Sequence, residues 1–116
     1  ARRGSEALFI MTNDGWWDDT PGHWQHLYFA SLRAVETRRF VARAANTGNS
    51  AFINQRGDRF QVTKYGEPAV IKSTIYLNDV PTFYIRWGDI IARINLFITI
   101  LFLLNTFVRN ITRKDK

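Results

Sequence analysis

The stretch TNDGWWDDTPGHWQH, residues 12–26, places three aspartates, two histidines and an adjacent pair of tryptophans on one short connection. Most loops carry small polar residues because they only need to turn; carboxylates and imidazoles beside bulky aromatics mark a surface built to touch something. His23 and His26 raise metal binding first, since three positions apart on a helix puts them on neighbouring faces. No third ligand stands at suitable spacing, so packing or hydrogen bonding at a helix start outweighs a metal, and neither metal nor cofactor is expected. Asn13 and Asp14 suit both a turn and a pocket wall.

Two further groups belong beside that stretch. Arg33 and Glu36 are spaced for an intrahelical ion pair, which on an open surface carries little energy. Asn46, Thr47, Gly48, Asn49 and Ser50 form a second polar loop beside a strand end, where glycine permits φ > 0 and hence a tight connection. Cysteine is absent, so no disulfide, thiolate ligand or thiol nucleophile lies within these residues.

The elements that must position these residues follow from pattern. Ala7 to Met11 is a short apolar run, as expected of a strand covered on both faces. Thr20-Pro21 offers a cap and a first-turn proline, and Trp24, Leu27, Tyr28, Ser31, Leu32, Val35 and Arg39 follow helical spacing, predicting a helix from about Pro21 to Arg39. Strands are expected at 40–45, 50–54 and 59–63, the last two joined by the glycine-containing turn Asn54-Gln55-Arg56-Gly57-Asp58, and one more at 69–77. The order is β, α, then several β: one side of a layered α/β arrangement that lacks its other half.

At 116 residues the chain has the size of one domain with a modest core. Sixteen Lys plus Arg stand against ten Asp plus Glu, but up to Asp89 the count is eleven against nine, and from Ile90 onward five against one. The basic excess therefore sits with the hydrophobic C-terminal segment, which favours a membrane over nucleic acid. IIARINLFITILFLLNTFV, residues 90–108, has the length that about 30 Å of hydrocarbon requires, with apolar residues on every face. Arg109, Arg113, Lys114 and Lys116 follow, which predicts a cytoplasmic C-terminus with the globular part on the other side. The chain opens on ARRGSEAL, which reads like the tail of a helix, so a fragment of a longer protein is expected.

TNDGWW, then PGHWQH, then RAVETRRFVARAANTGNSAFINQRGD, and finally TFYIRWGD running into the apolar helix resemble the C-terminal part of bacterial apolipoprotein N-acyltransferases. The first half of that resemblance is shared, more loosely, with the carbon–nitrogen hydrolase (nitrilase) superfamily and bears on fold; Thr82 to Asp89, returning the chain to a membrane, separates the acyltransferases from soluble amidases. One departure is Asp18, where relatives commonly carry glycine.

The resemblance implies the C-terminal portion of a nitrilase-like α-β-β-α sandwich followed by one transmembrane helix: residues 1–81 in the hydrolase-like domain, 82–89 a linker, 90–108 the span and 109–116 a basic tail. It implies an inner-membrane enzyme, globular part periplasmic, whose Glu-Lys-Cys set passes an acyl chain from phospholipid through a cysteine thioester to a lipoprotein's N-terminal amine. None of those three residues can be assigned here, so this chain alone should be inactive. The substrate pocket would draw on Asn13, Asp14, Trp16, Trp17, His26, Asn46 and Ser50, with the Arg33–Glu36 pair structural near the site. Trp16 and Trp17 would offer apolar area to an acyl chain or to the membrane interface, with one of the two expected in the core. An amidase or nitrilase fragment and a non-catalytic membrane-tethered module are the competing classes.

Overall fold

The computed structural model describes residue 1 and residues 3–114, in two units, Ala1–Arg86 and Trp87–Lys116. Lys116 of the basic tail lies outside the described residues.

The first unit is a four-stranded sheet carrying one long helix. Strand β1 (Ala7–Thr12) runs parallel to β2 (Phe40–Ala45), and β2, β3 (Ala51–Ile53) and β4 (Arg59–Phe60) follow as antiparallel neighbours in chain order. Parallel neighbours need a long crossover, which helix α1 (Pro21–Thr37) supplies. Thr20 caps it by accepting from Gly22 N at 3.3 Å, Pro21 occupies the first turn, and Arg38 ends it in the left-handed conformation at φ 52°.

The core lies between α1 and one face of the sheet. Leu27, Ala30 and Ala34 pack on Val41, Ala51 and Ile53, with Leu8 and Ile10 against them. This corrects the expected core stripe: Leu27 is buried, but Trp24, Tyr28, Leu32 and Val35 are exposed on α1, and the buried positions are His23, Leu27, Ala30 and Ala34. Small side chains let helix and sheet approach closely, while Tyr28 lies 4.2 Å from Arg59 of β4 and Val35 lies against Gly57 of the turn before it.

Nor is β1 covered on both faces. Side chains alternate along a strand, so Phe9 and Met11, 72% and 89% exposed, point away from α1. With Ala42, Ala44 and Phe52 they line an apolar groove of about 440 Å³ bounded by Ala69, Val70 and Ile71. Among the described residues no helix covers this face of the sheet. Residues 69–77 are not a strand, contrary to expectation. Val70 is 99% exposed, and β4 is only two residues long and offers a fifth strand little edge to pair with.

Residues 78–82 are clamped to the start of the sheet. Buried Arg39 donates from Nε to Ser5 O at 2.7 Å and from Nη1 to Val80 O at 3.0 Å. Asn78 Nδ2 donates to Arg38 O, and Thr82 Oγ1 to Glu36 O at 2.6 Å. The chain thus leaves this unit at the end of the sheet opposite the Asn13–Trp17 loop. A short helix, α2 (Phe83–Trp87), follows.

The second unit is dominated by α3 (Ile90–Lys114). Asp89 starts it by accepting from Ala92 N at 3.0 Å. Within residues 90–111 an 18-residue stretch has a mean hydropathy of 1.9 and none of it is buried, so by length and composition α3 is the one described helix able to cross a membrane. Thr99 and Thr106 return their hydroxyls to the carbonyls of Asn95 and Phe102, at 2.8 and 2.9 Å. This satisfies both groups within the helix, as an apolar surrounding requires.

Candidate functional site

The parallel pair β1–β2 sends its two following loops, 13–20 and 46–50, out of the same end of the sheet, the edge where α/β folds gather their sites. The loops are tied together by hydrogen bonds: Asn46 N donates to Thr12 O and Asp14 N to Asn46 Oδ1, both at 3.2 Å.

Beneath them lies a buried polar cluster. Asp14 and Arg43 have fully buried side chains, with Oδ2 and Nη2 2.7 Å apart. Asp14 Oδ1 meets His26 Nδ1 at 2.8 Å and accepts from Thr12 Oγ1 at 3.2 Å. Arg43 Nη1 donates to Asn49 O at 3.1 Å, while its buried Nε meets no partner among the described residues. Arg43 is brought here by register: paired with Ile10, on the inward face of β2, it extends beneath α1 to the carboxylate. A desolvated ion pair of this kind is kept by mutual satisfaction, because either charge alone would be left uncompensated.

Gly48 completes the packing. A Cβ there would overlap the Asp14 carboxylate, yet its φ is not in the positive region. The glycine serves close approach and not the left-handed turn expected from sequence.

His23 and His26 go to different partners. His23 is buried, with Nδ1 2.5 Å from Asn49 Oδ1 and its ring 4.6 Å from that of Tyr65. Asn49 passes the link on, donating to Thr63 O at 2.8 Å. Partial burial, and then the carboxylates of Asp18, Asp19 and Asp14, raise the Tyr65 phenol above its ordinary pKa. The hydroxyl therefore stays protonated at neutral pH.

The other expected pocket residues divide. Asn13 is exposed and accepts from Gly15 N at 3.0 Å, starting the single 3-10 turn Gly15–Trp17. Neither tryptophan is core, against expectation: Trp16 is 84% exposed and Trp17 47%. The loop tightens instead of leaving the strand in extended form, and the Trp17 ring lies against Gly22, where a Cβ would come 2.7 Å from Cε3. Ser50 Oγ accepts from Ala45 N at 3.0 Å and lines the open groove on the other face of the sheet. Arg33 and Glu36 do pair, at 2.7 Å, but Arg33 lies seven residues beyond His26, roughly 10 Å along the helix, so the pair is not brought to this cluster.

Sequence reasoning missed Arg43 and Asn49 as members. The signal for Arg43 was a lone charge inside the strand FVARAA, on the inward alternation, which demands a buried counter-charge.

The carbon–nitrogen hydrolase family model matches residues 1–83. Among curated relatives, the chain is 36% identical to the apolipoprotein N-acyltransferase of Chlorobaculum tepidum over 95 residues, 82% of this chain and 18% of that protein. It is 37% identical over 91 residues to that of Geobacter metallireducens, 78% and 18% of the two chains, and 46% identical over 80 residues to that of Rhizobium meliloti, 69% and 15%. The chain thus spans less than a fifth of the length of these relatives.

Proposed function

The chain belongs to the carbon–nitrogen hydrolase family, and on that premise we propose that it is the C-terminal part of an apolipoprotein N-acyltransferase. Such an enzyme moves an acyl chain from a phospholipid to the N-terminal amine of a lipid-modified lipoprotein cysteine, through an enzyme thioester. The observation that carries this reading is the reach of the likeness. It covers 95 residues of this chain in one relative, more than the 83 of the family match, so it continues past the hydrolase-like domain toward the apolar helix. A soluble amidase has no reason to share that continuation.

In this reading residues 1–81 are the end of the catalytic domain, 82–89 the return to the membrane, 90–108 the last span and 109–116 a basic tail on the cytoplasmic side, with the domain periplasmic at the inner membrane. The loop carrying Asn13, Trp16 and Trp17, with His26 and Asn46, forms part of the substrate pocket above the buried Asp14, while Ser50 opens onto the other face of the sheet. Trp16, exposed on that loop, offers apolar area to an acyl chain or to the membrane interface.

The test uses the full-length protein in phospholipid. It should form a base-labile acyl thioester and pass the acyl group to a diacylated lipopeptide, whereas residues 1–116 alone should form none, lacking a thiol. Hydrolysis of simple amides without transfer would replace the reading by an amidase. Trp16→Ala in that protein should slow thioester formation from a long-chain donor while costing under about 1 kcal/mol of stability, since the exposed ring leaves no core cavity. Unchanged acylation would remove Trp16 from the pocket.

A further inference from the structure

Asp14 does more than pair with Arg43. A carboxylate held by a guanidinium has only lone pairs left to offer, so its 2.8 Å contact with His26 is made through a hydrogen on Nδ1. In the neutral ring the lone pair then resides on Nε2. The other charged group facing the ring is Arg43, whose Nη2 is 3.3 Å from Nδ1 and already engaged by Asp14. The His26 side chain is 41% exposed, and among the described residues Nε2 has no hydrogen-bond partner. The core position here is its neighbour Leu27, so packing does not require an imidazole. A buried ion pair thus fixes the tautomer and orientation of a half-exposed base at the loop-bearing end of the sheet.

We propose that His26 is a further catalytic residue of the transfer half-reaction, its Nε2 accepting a proton from the incoming primary ammonium group. This rests on the acyltransferase reading. The N–H bond of the ammonium breaks, its electron pair stays on nitrogen, and the proton forms a bond with Nε2. The resulting imidazolium keeps its other N–H on Asp14. The freed amine forms a C–N bond with the thioester carbonyl carbon, and the C–S bond breaks with its pair leaving on sulfur. The thiolate takes the second amine proton and the imidazolium releases its own to water, so one proton leaves per amide formed.

The experiment separates the two half-reactions in the full-length enzyme. His26→Asn preserves an N–H toward Asp14 and removes the Nε2 lone pair; His26→Gln is the second variant, close in volume. Thioester formation from phospholipid should fall far less than transfer in both, and its detection also shows that they fold. Transfer to a diacylated lipopeptide at pH 7 should slow about a hundredfold. The deficit should shrink toward pH 9, above the ordinary pKa of an α-amino group, about 8, where the acceptor deprotonates unaided. Normal transfer, an equal loss in both half-reactions, or a deficit constant across pH would overturn the role of His26. Failure of the wild-type enzyme to form any thioester would overturn the acyltransferase reading and this inference with it.

Discussion

Arg43→Met in the full-length protein should cost about 3 to 5 kcal/mol of apparent stability and lower its thermal midpoint by roughly 10 °C. The methionine fills much of the space but leaves the Asp14 carboxylate buried at the loop junction without its counter-charge, with only His26, Thr12 and the Asn46 contact to its backbone N–H around it. Asp14→Asn should fall in the same range, because it strands the guanidinium instead. The informative measurement is the double variant. If the pair acts as a unit, Arg43→Met with Asp14→Asn should be less destabilised than the two single losses added together, since neither charge remains to be buried alone. Strict additivity would mean that the 2.7 Å contact contributes packing and little coupling.

That pair also explains what could and could not be read from the chain beforehand. Local signals placed β1, α1 and β2 almost to the residue, because the Thr20-Pro21 cap, the apolar runs and the turn residues each act within a few positions. Signals that depend on a partner surface failed. Trp24, Tyr28, Leu32 and Val35 look like a core stripe because bulk and apolarity are local properties. Which face of a helix is buried is set by the sheet it meets, and this sheet, with Arg43 reaching beneath α1, takes His23, Leu27, Ala30 and Ala34. Residues 69–77 have strand composition, but a strand is a pairing, and the two-residue β4 offers little edge. The site was half legible for the same reason. Asp14 and His26 stand out in the stretch 12–26, rich in polar and aromatic residues, and Asn46 in the second polar loop, whereas the partner of Arg43 and the place of Asn49 emerge only when parallel pairing sets Ile10 beside Arg43 and folds the second loop over the first.

Gly48 gives the sharpest separation of a conformational from a spatial requirement. From sequence, a glycine in Asn46-Thr47-Gly48-Asn49-Ser50 serves a left-handed turn, and such a glycine replaced by alanine costs about 1 kcal/mol. Gly66 is that case: its φ is +72° and nothing lies within 4 Å of an added Cβ. Gly48 is the reverse, with no positive φ and a Cβ position already occupied by the Asp14 side chain. The carboxylate has nowhere to retreat, being held by Arg43 on one oxygen and His26 on the other. Gly48→Ala should therefore break the buried pair and lose about 3 to 5 kcal/mol, while Gly66→Ala in the same protein loses about 1. Thermal midpoints of the two full-length variants decide the order. Because the same overlap displaces the group that orients His26, Gly48→Ala that still folds should also slow acyl transfer to an amine more than thioester formation. Gly66→Ala should leave the ratio of the two rates unchanged. A larger loss at Gly66 than at Gly48 would show that the 46–50 loop yields readily, and that the carboxylate beneath it is not held in place by packing.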